Sequence, residues 1–157
     1  MSKPTPHPRF NHVAMSVPAD LLDETGRTEI LEFYGEVFGW TEMPTLTRDR
    51  ELLVLRAYSH EQFVFLMAGA EPMRAGPMDH FGMSVPTLDL LDGMYERAAK
   101  RRETDPRVEL LERKVEDYKV LSLHSFYVRF RLPLLTEVQC YEWASGFDEQ
   151  SVGPAAG

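Results

Sequence analysis

Two histidines set in the same short phrase are the residues of this sequence best placed to do chemistry. His12 opens His12-Val13-Ala14-Met15-Ser16-Val17-Pro18, and His80 opens His80-Phe81-Gly82-Met83-Ser84-Val85-Pro86. Five of the seven positions are identical, at an offset of 68 residues. Two neutral imidazoles at equivalent positions can share a transition metal such as zinc or nickel through their ring nitrogens. They can equally hydrogen-bond a ligand or each other. Other chemistries lack their signatures. Cys140 is the only cysteine and has no basic neighbour in sequence to turn it into a thiolate nucleophile. The chain holds no Gly-rich phosphate loop, no Ser–His–Asp order and no Cys-x-x-Cys pair.

The elements that carry the histidines follow from residue periodicity. In each copy of the phrase the alternation has period two, which marks a strand. Val13, Met15 and Val17 form a bulky face that packs under a helix, as do Phe81, Met83 and Val85. The opposite faces carry one imidazole beside small residues (Ala14 and Ser16; Gly82 and Ser84), as a cavity wall would. A helix follows each strand. Ile30, Leu31, Phe33, Tyr34, Val37 and Phe38 recur at helical spacing before Gly39, and Leu88, Leu91, Met94, Tyr95, Ala98 and Ala99 do the same in the second copy. Three strand-like runs then close each copy, at about 40–46, 52–57 and 62–67, and at about 108–116, 121–131 and 134–143. The expected architecture is α+β: two βαβββ modules, 9–68 and 77–143, with curved mixed sheets around a central cleft. The Gly/Ala/Pro-rich stretch 69–77 links them, and 1–8 and 145–157 are frayed ends of a single domain.

Composition narrows the partners. The 157 residues carry a formal net charge of −8, which argues against nucleic acid. Lys100, Arg101 and Arg102 form the one basic cluster, at the end of a predicted helix where cations suit the helix dipole. No run is apolar enough to span a membrane, the first residues have no secretory apolar core, and a single cysteine fits a reducing compartment. The expected location is the cytoplasm.

With these residues in view, Asn11-His12-Val13-Ala14-Met15 followed by Phe33-Tyr34-Gly35-Glu36-Val37-Phe38-Gly39-Trp40 resembles the opening of the vicinal oxygen chelate superfamily. Its members include glyoxalase I, extradiol ring-cleavage dioxygenases and metal-free bleomycin-binding proteins. Asp79-His80-Phe81-Gly82-Met83, Ser125-Phe126-Tyr127-Val128 and Val138-Gln139-Cys140-Tyr141-Glu142-Trp143 extend the resemblance to residue 143. It implies a divalent metal (iron, manganese, zinc or nickel) held from the first and last strands of each module. His12 and His80 take the first-strand positions. The last-strand carboxylates fall on Phe65, which cannot ligate, and on Gln139, which offers a neutral oxygen, so the site is weak. Glu137, one pleat from Gln139 with the same parity, is a further candidate ligand.

The resemblance also implies roles for Tyr127, at the position of a substrate-contacting tyrosine, and for His60, which precedes a strand where related dioxygenases carry a catalytic histidine. His60 reads equally as a surface residue of a turn. His124 has the opposite parity to Tyr127 and belongs to core or surface. Two function classes remain open. One is a metal-dependent lyase, isomerase or ring-cleavage dioxygenase acting on a small vicinal-oxygen substrate. The other is a metal-free small-molecule or antibiotic-binding protein of the bleomycin-resistance type. Both imply a homodimer and a small-molecule partner.

Overall fold

A computed structural model describes residues 7–152, and the chain divides into two compact units between Met73 and Arg74. The first unit contains β1 (His12–Val17), a 3-10 turn (Ala19–Leu22), α1 (Glu24–Phe38), β2 (Thr41–Glu42), β3 (Leu52–Arg56) and β4 (Phe63–Ala68). Its sheet order is β1-β4-β3-β2, with β1 parallel to β4 and the other pairs antiparallel. Met15 and Val17 of β1 and Val64 and Leu66 of β4 are buried, as are Ile30, Phe33, Tyr34 and Val37 of α1. The opposite face carries His12 and Ala14 in register with Phe63 and Phe65.

The helix α1 starts a turn and a half before its apolar face, because capping rather than periodicity sets its start. The Asp23 carboxylate accepts from the Gly26 N–H at 2.8 Å. Gly26 lies so close to the preceding turn that a Cβ there would sit 2.1 Å from the Leu21 carbonyl oxygen. At the far end Gly39 adopts φ +75°, and its N–H donates to the Gly35 carbonyl at 2.9 Å. Trp40 then folds back and stacks on Tyr34, with ring centroids 4.9 Å apart.

The second unit contains β5 (His80–Ser84), α2 (Leu88–Thr104), β6 (Val108–Leu110), β7 (Lys114–Asp117), β8 (Leu121–Phe130) and β9 (Leu135–Trp143). Its sheet runs β5-β9-β8-β6, with β7 also paired to β8. Again the histidine strand is outermost and parallel to the last strand of its module. Phe126, Val128, Val138 and Cys140 are buried on the α2 side with Leu91 and Ala98, and Tyr95 of α2 meets Phe126 edge-on.

The expected single strand over 108–116 is broken in two. Leu110 pairs with Val128, whereas Lys114 pairs with Ser125, so three residues (111–113) oppose two (126–127). This is a β-bulge, and it reverses side-chain parity along the strand. Before it, Val108 and Leu110 share the α2 face with Phe130 and Val128; after it, Val115 shares that face with His124. Lys114 and Glu116 are thereby turned to the other side, in register with Ser125 and Leu123.

A polar chain crosses the α2 face near the bulge. Asp92 of α2 pairs with Arg113, which donates to His124 Nδ1 at 3.2 Å, and His124 Nε2 lies 3.1 Å from a Glu142 oxygen. Since guanidinium only donates, His124 accepts at Nδ1 and donates from Nε2. Of the expected frayed ends, residues 1–6 and 153–157 lie outside the described residues. Between Asp148 and Ser151 the chain forms a turn, closed by the Ser151 N–H on Asp148 Oδ1 at 2.8 Å. No helix among the described residues is long and apolar enough to cross a membrane.

Candidate functional site

On the face of the second sheet turned away from α2, three predicted residues come together. His80 of β5 has its Nε2 3.3 Å from Glu137 Oε2 of β9, and its ring meets Tyr127 of β8 edge-on at 5.1 Å. Their arrangement follows from register: Gly82 is opposite Glu137, and Glu137 is opposite Tyr127. Gly82 leaves the floor open, since a Cβ there would stand 3.6 Å from the Glu137 carboxylate. The histidine side chain is about 38% exposed and the glutamate side chain only 8%, so the carboxylate lies behind the imidazole.

The hydrogen bonds define what the pair can do. His80 Nδ1 lies 2.8 Å from the Met78 carbonyl oxygen, which only accepts, so Nδ1 carries the hydrogen. In the neutral ring, the Nε2 lone pair then faces a carboxylate oxygen. Two acceptors 3.3 Å apart are drawn together by a group that binds both, and a metal ion is one such group. Metal bonds of about 2.0–2.2 Å to nitrogen and oxygen put neighbouring ligand atoms about 3.0–3.4 Å apart, which matches this separation. An Nδ1–H anchored on a carbonyl is also the usual support for a ligating histidine. The pair therefore fits two ligand positions of a divalent metal. Among the described residues, no group of three or more His, Cys, Asp or Glu side chains gathers into a metal cluster.

Tyr127 stays a phenol. Burial first, then its hydrogen bond to Glu137 and the charges of Glu137 and Glu116, push its pKa up to about 12 from 10.0. It serves as a hydrogen-bond donor at neutral pH.

The remaining predicted residues are placed elsewhere. Gln139 lies one pleat along β9, and its Oε1 accepts from the Tyr141 hydroxyl at 2.9 Å. The register clarifies the repeat: Phe65 stands opposite Ala14 as Glu137 stands opposite Gly82. Glu137, and not Gln139, is thus the counterpart of Phe65. The two glutamine and glutamate positions share parity, so alternation alone does not separate them. In the first unit His12 is exposed, its Nδ1 2.7 Å from Asn11 Oδ1 and its ring stacked on Phe63 at 4.9 Å. His60 sits, exposed, in the turn between β3 and β4. There it borders an open cleft of about 570 Å³ lined by residues 41–46 and Arg56. The polar chain through His124 was not anticipated. Its only sequence signal is the parity of His124 and Cys140, which places a histidine on the buried side of β8.

No family model matches the sequence, and no curated protein does. Solved structures do. A glyoxalase/bleomycin resistance protein/dioxygenase from Alicyclobacillus acidocaldarius is similar over 96% of this chain and 99% of its own, with 18% identity and a TM-score of 0.60. The chain has the glyoxalase/bleomycin-resistance/dioxygenase fold. Two further structures with this fold are a lactoylglutathione lyase from Agrobacterium tumefaciens (16% identity, 86% of this chain and 95% of that one, TM-score 0.56) and a glyoxalase/bleomycin resistance protein/dioxygenase from Nocardioides (15%, 92% and 89%, 0.55). The resemblance to vicinal oxygen chelate proteins is borne out at the level of fold. Within that fold, the second module places an imidazole, a carboxylate and a phenol on one sheet face, while the first has an imidazole and a phenyl ring at the equivalent positions.

Proposed function

We propose that this protein is a metal-dependent enzyme (a lyase, isomerase or ring-cleavage dioxygenase) acting on a small substrate with two vicinal oxygens, through His80, Glu137 and Tyr127. The observation that carries the reading is the facing of His80 Nε2 and Glu137 Oε2 at 3.3 Å, with Nδ1 pinned to Met78. In this reading His80 and Glu137 hold the ion, and on the first module His12 is the corresponding donor. A bound iron, manganese, zinc or nickel ion supplies Lewis acidity that stabilises negative charge on the substrate oxygens. Tyr127, a phenol at neutral pH whose one O–H is directed at Glu137 in the free protein, turns that O–H to one of those oxygens when substrate binds and orients that oxygen. Its edge-on contact with His80 keeps the imidazole aimed. Gln139, with its oxygen already bonded to Tyr141, takes a substrate-contact role and not a ligand role. We further infer a cytoplasmic homodimer with a small-molecule partner and no nucleic-acid or membrane partner; the net charge of −8 supports the part about nucleic acid.

The test is calorimetric titration of chelator-stripped protein with zinc, nickel, manganese and iron(II). One equivalent per chain, weakened at least about tenfold in His80→Ala and Glu137→Gln, is the expected result. Unchanged binding in both variants removes the assignment.

One observation favours a second reading, a metal-free binding protein of the bleomycin-resistance type. In the first module the counterpart of Glu137 is Phe65, and Phe63 covers the His12 ring, so that face is suited to stacking on a planar ligand. Absence of metal binding in all four titrations, with retained affinity for planar cations, selects it.

A further inference from the structure

We propose that Ser84, Gln139 and Lys114 form a subsite for the carboxylate of an organic-acid substrate, one sheet row beyond Glu137 and Tyr127. The register builds it. Ser84 of β5 is opposite Gln139 of β9, Gln139 is opposite Ser125 of β8, and Ser125 is opposite Lys114 of β7. Residues paired in this way point to the same side of a sheet, so the row faces the same way as the Gly82–Glu137–Tyr127 row, over which His80 leans from one pleat further along β5. The two rows are separated by one pleat repeat, about 6.5–7 Å.

Three features make this row a receptor and not a chance surface. Gln139 is locked: the Tyr141 hydroxyl donates to its Oε1 at 2.9 Å, leaving the amide N–H groups as outward donors. Lys114 faces the row only because of the bulge at 111–113, since an uninterrupted strand would turn it toward α2. Lys114 is exposed and has no ion-pair partner among the described residues. Ser125, between them, is short and buried, so the two longer side chains face each other across a low floor. The row thus offers an ammonium, an amide and a hydroxyl, all donors, to one acceptor group. The next row holds Leu123 and Tyr141, flanked by Glu116, whose charge confines an anion to the Gln139 side. The substrate class is a small organic acid whose carboxylate lies about 7 Å from its reacting oxygens.

The inference rests on the proposed function only for where the reacting oxygens lie, so its test uses metal-free protein and probes without vicinal oxygens. Benzoate and benzamide are titrated into isotope-labelled protein, following the Gln139 side-chain amide resonance, assigned by its loss in Gln139→Leu. Benzoate is expected to shift that resonance saturably and to bind about threefold to tenfold more tightly than benzamide. Lys114→Met should remove the preference while leaving benzamide unchanged, and Tyr141→Phe should weaken benzoate by unlocking the amide. Equal affinity for the two probes, an unchanged preference in Lys114→Met, or a Gln139 resonance that does not move overturns the subsite. Metal titrations of His80→Ala and Glu137→Gln report separately on the catalytic reading, so either can fail while the other stands.

Discussion

Replacing Glu137 by glutamine should make Tyr127 more acidic, and the size of the change can be worked from the groups around the phenol. Its pKa stands at about 12 against 10.0, raised first by burial, then by the Glu137 hydrogen bond and charge, with Glu116 contributing least. Glutamine keeps the shape and a hydrogen-bond acceptor but removes the negative charge that opposes phenolate formation. Burial persists in the variant, so the pKa falls back only part of the way, by on the order of 1 unit, and stays above 10. The assay is near-ultraviolet phenolate absorbance against pH. The chain has six tyrosines, so the late-titrating step is assigned by its absence in Tyr127→Phe. The sign also fixes a stability effect. A folded-state pKa raised above the unfolded one contributes stability that is present below pH 10 and lost as pH rises through about 12. Tyr127→Phe should flatten that loss, and Glu137→Gln should shift it to lower pH. A late step that is unmoved in Glu137→Gln would refute the coupling of phenol and carboxylate on which the site is built.

Three other outcomes are expected. Gly26→Ala forces a Cβ against the Leu21 carbonyl and should lower stability by about 1–3 kcal/mol in urea unfolding, with α1 otherwise intact. Cys140 is 3% exposed and its thiol is pushed up in pKa, by burial first and by Glu142 next, so it should resist thiol reagents at about pH 8 until the protein is unfolded. Rapid stoichiometric labelling of the native protein would contradict this. Arg113→Met leaves Asp92 and the buried His124 Nδ1 without their partner, and should cost about 1–3 kcal/mol of stability. His124→Gln, which removes the imidazole but keeps a short polar chain, should lose less.

What the sequence revealed of this fold came from short-range patterns. The repeated phrase beginning at His12 and His80 identified two equivalent strands, and alternation assigned their faces: Met15 and Val17 are buried, and His12 and Ala14 exposed. The second helix follows its apolar spacing, but the start of α1 was hidden, because Glu24–Glu29 carries little apolar signal and the boundary depends on the Asp23 cap. The site was legible as a set of residues but not as a geometry. Glu137 and Gln139 have the same parity, and which of them stands beside His80 depends on the parallel register of β5 and β9, a long-range property. Thr136, fully buried though polar, also obscured the apolar flank that would mark Glu137. The bulge had no local signature. Leu111, Glu112 and Arg113 read as ordinary strand residues, and only pairing with β8 shows that one is extra. An unbroken strand over 108–116 would turn Lys114 toward α2, and the bulge turns it to the other face.

In both sheets the histidine strand is the outermost one, bonded to a neighbour on a single side. Half of the peptide groups of β1 and β5 therefore lack a ladder partner within their own sheet, and such an edge invites pairing with any other extended chain. A severed module would present that edge, beside its imidazole, to every copy of itself. Separately produced halves should accordingly self-associate through that edge. Carrying both modules on one polypeptide fixes their concentration relative to each other and lets the two copies diverge independently, as Phe65 of β4 and Glu137 of β9 have done.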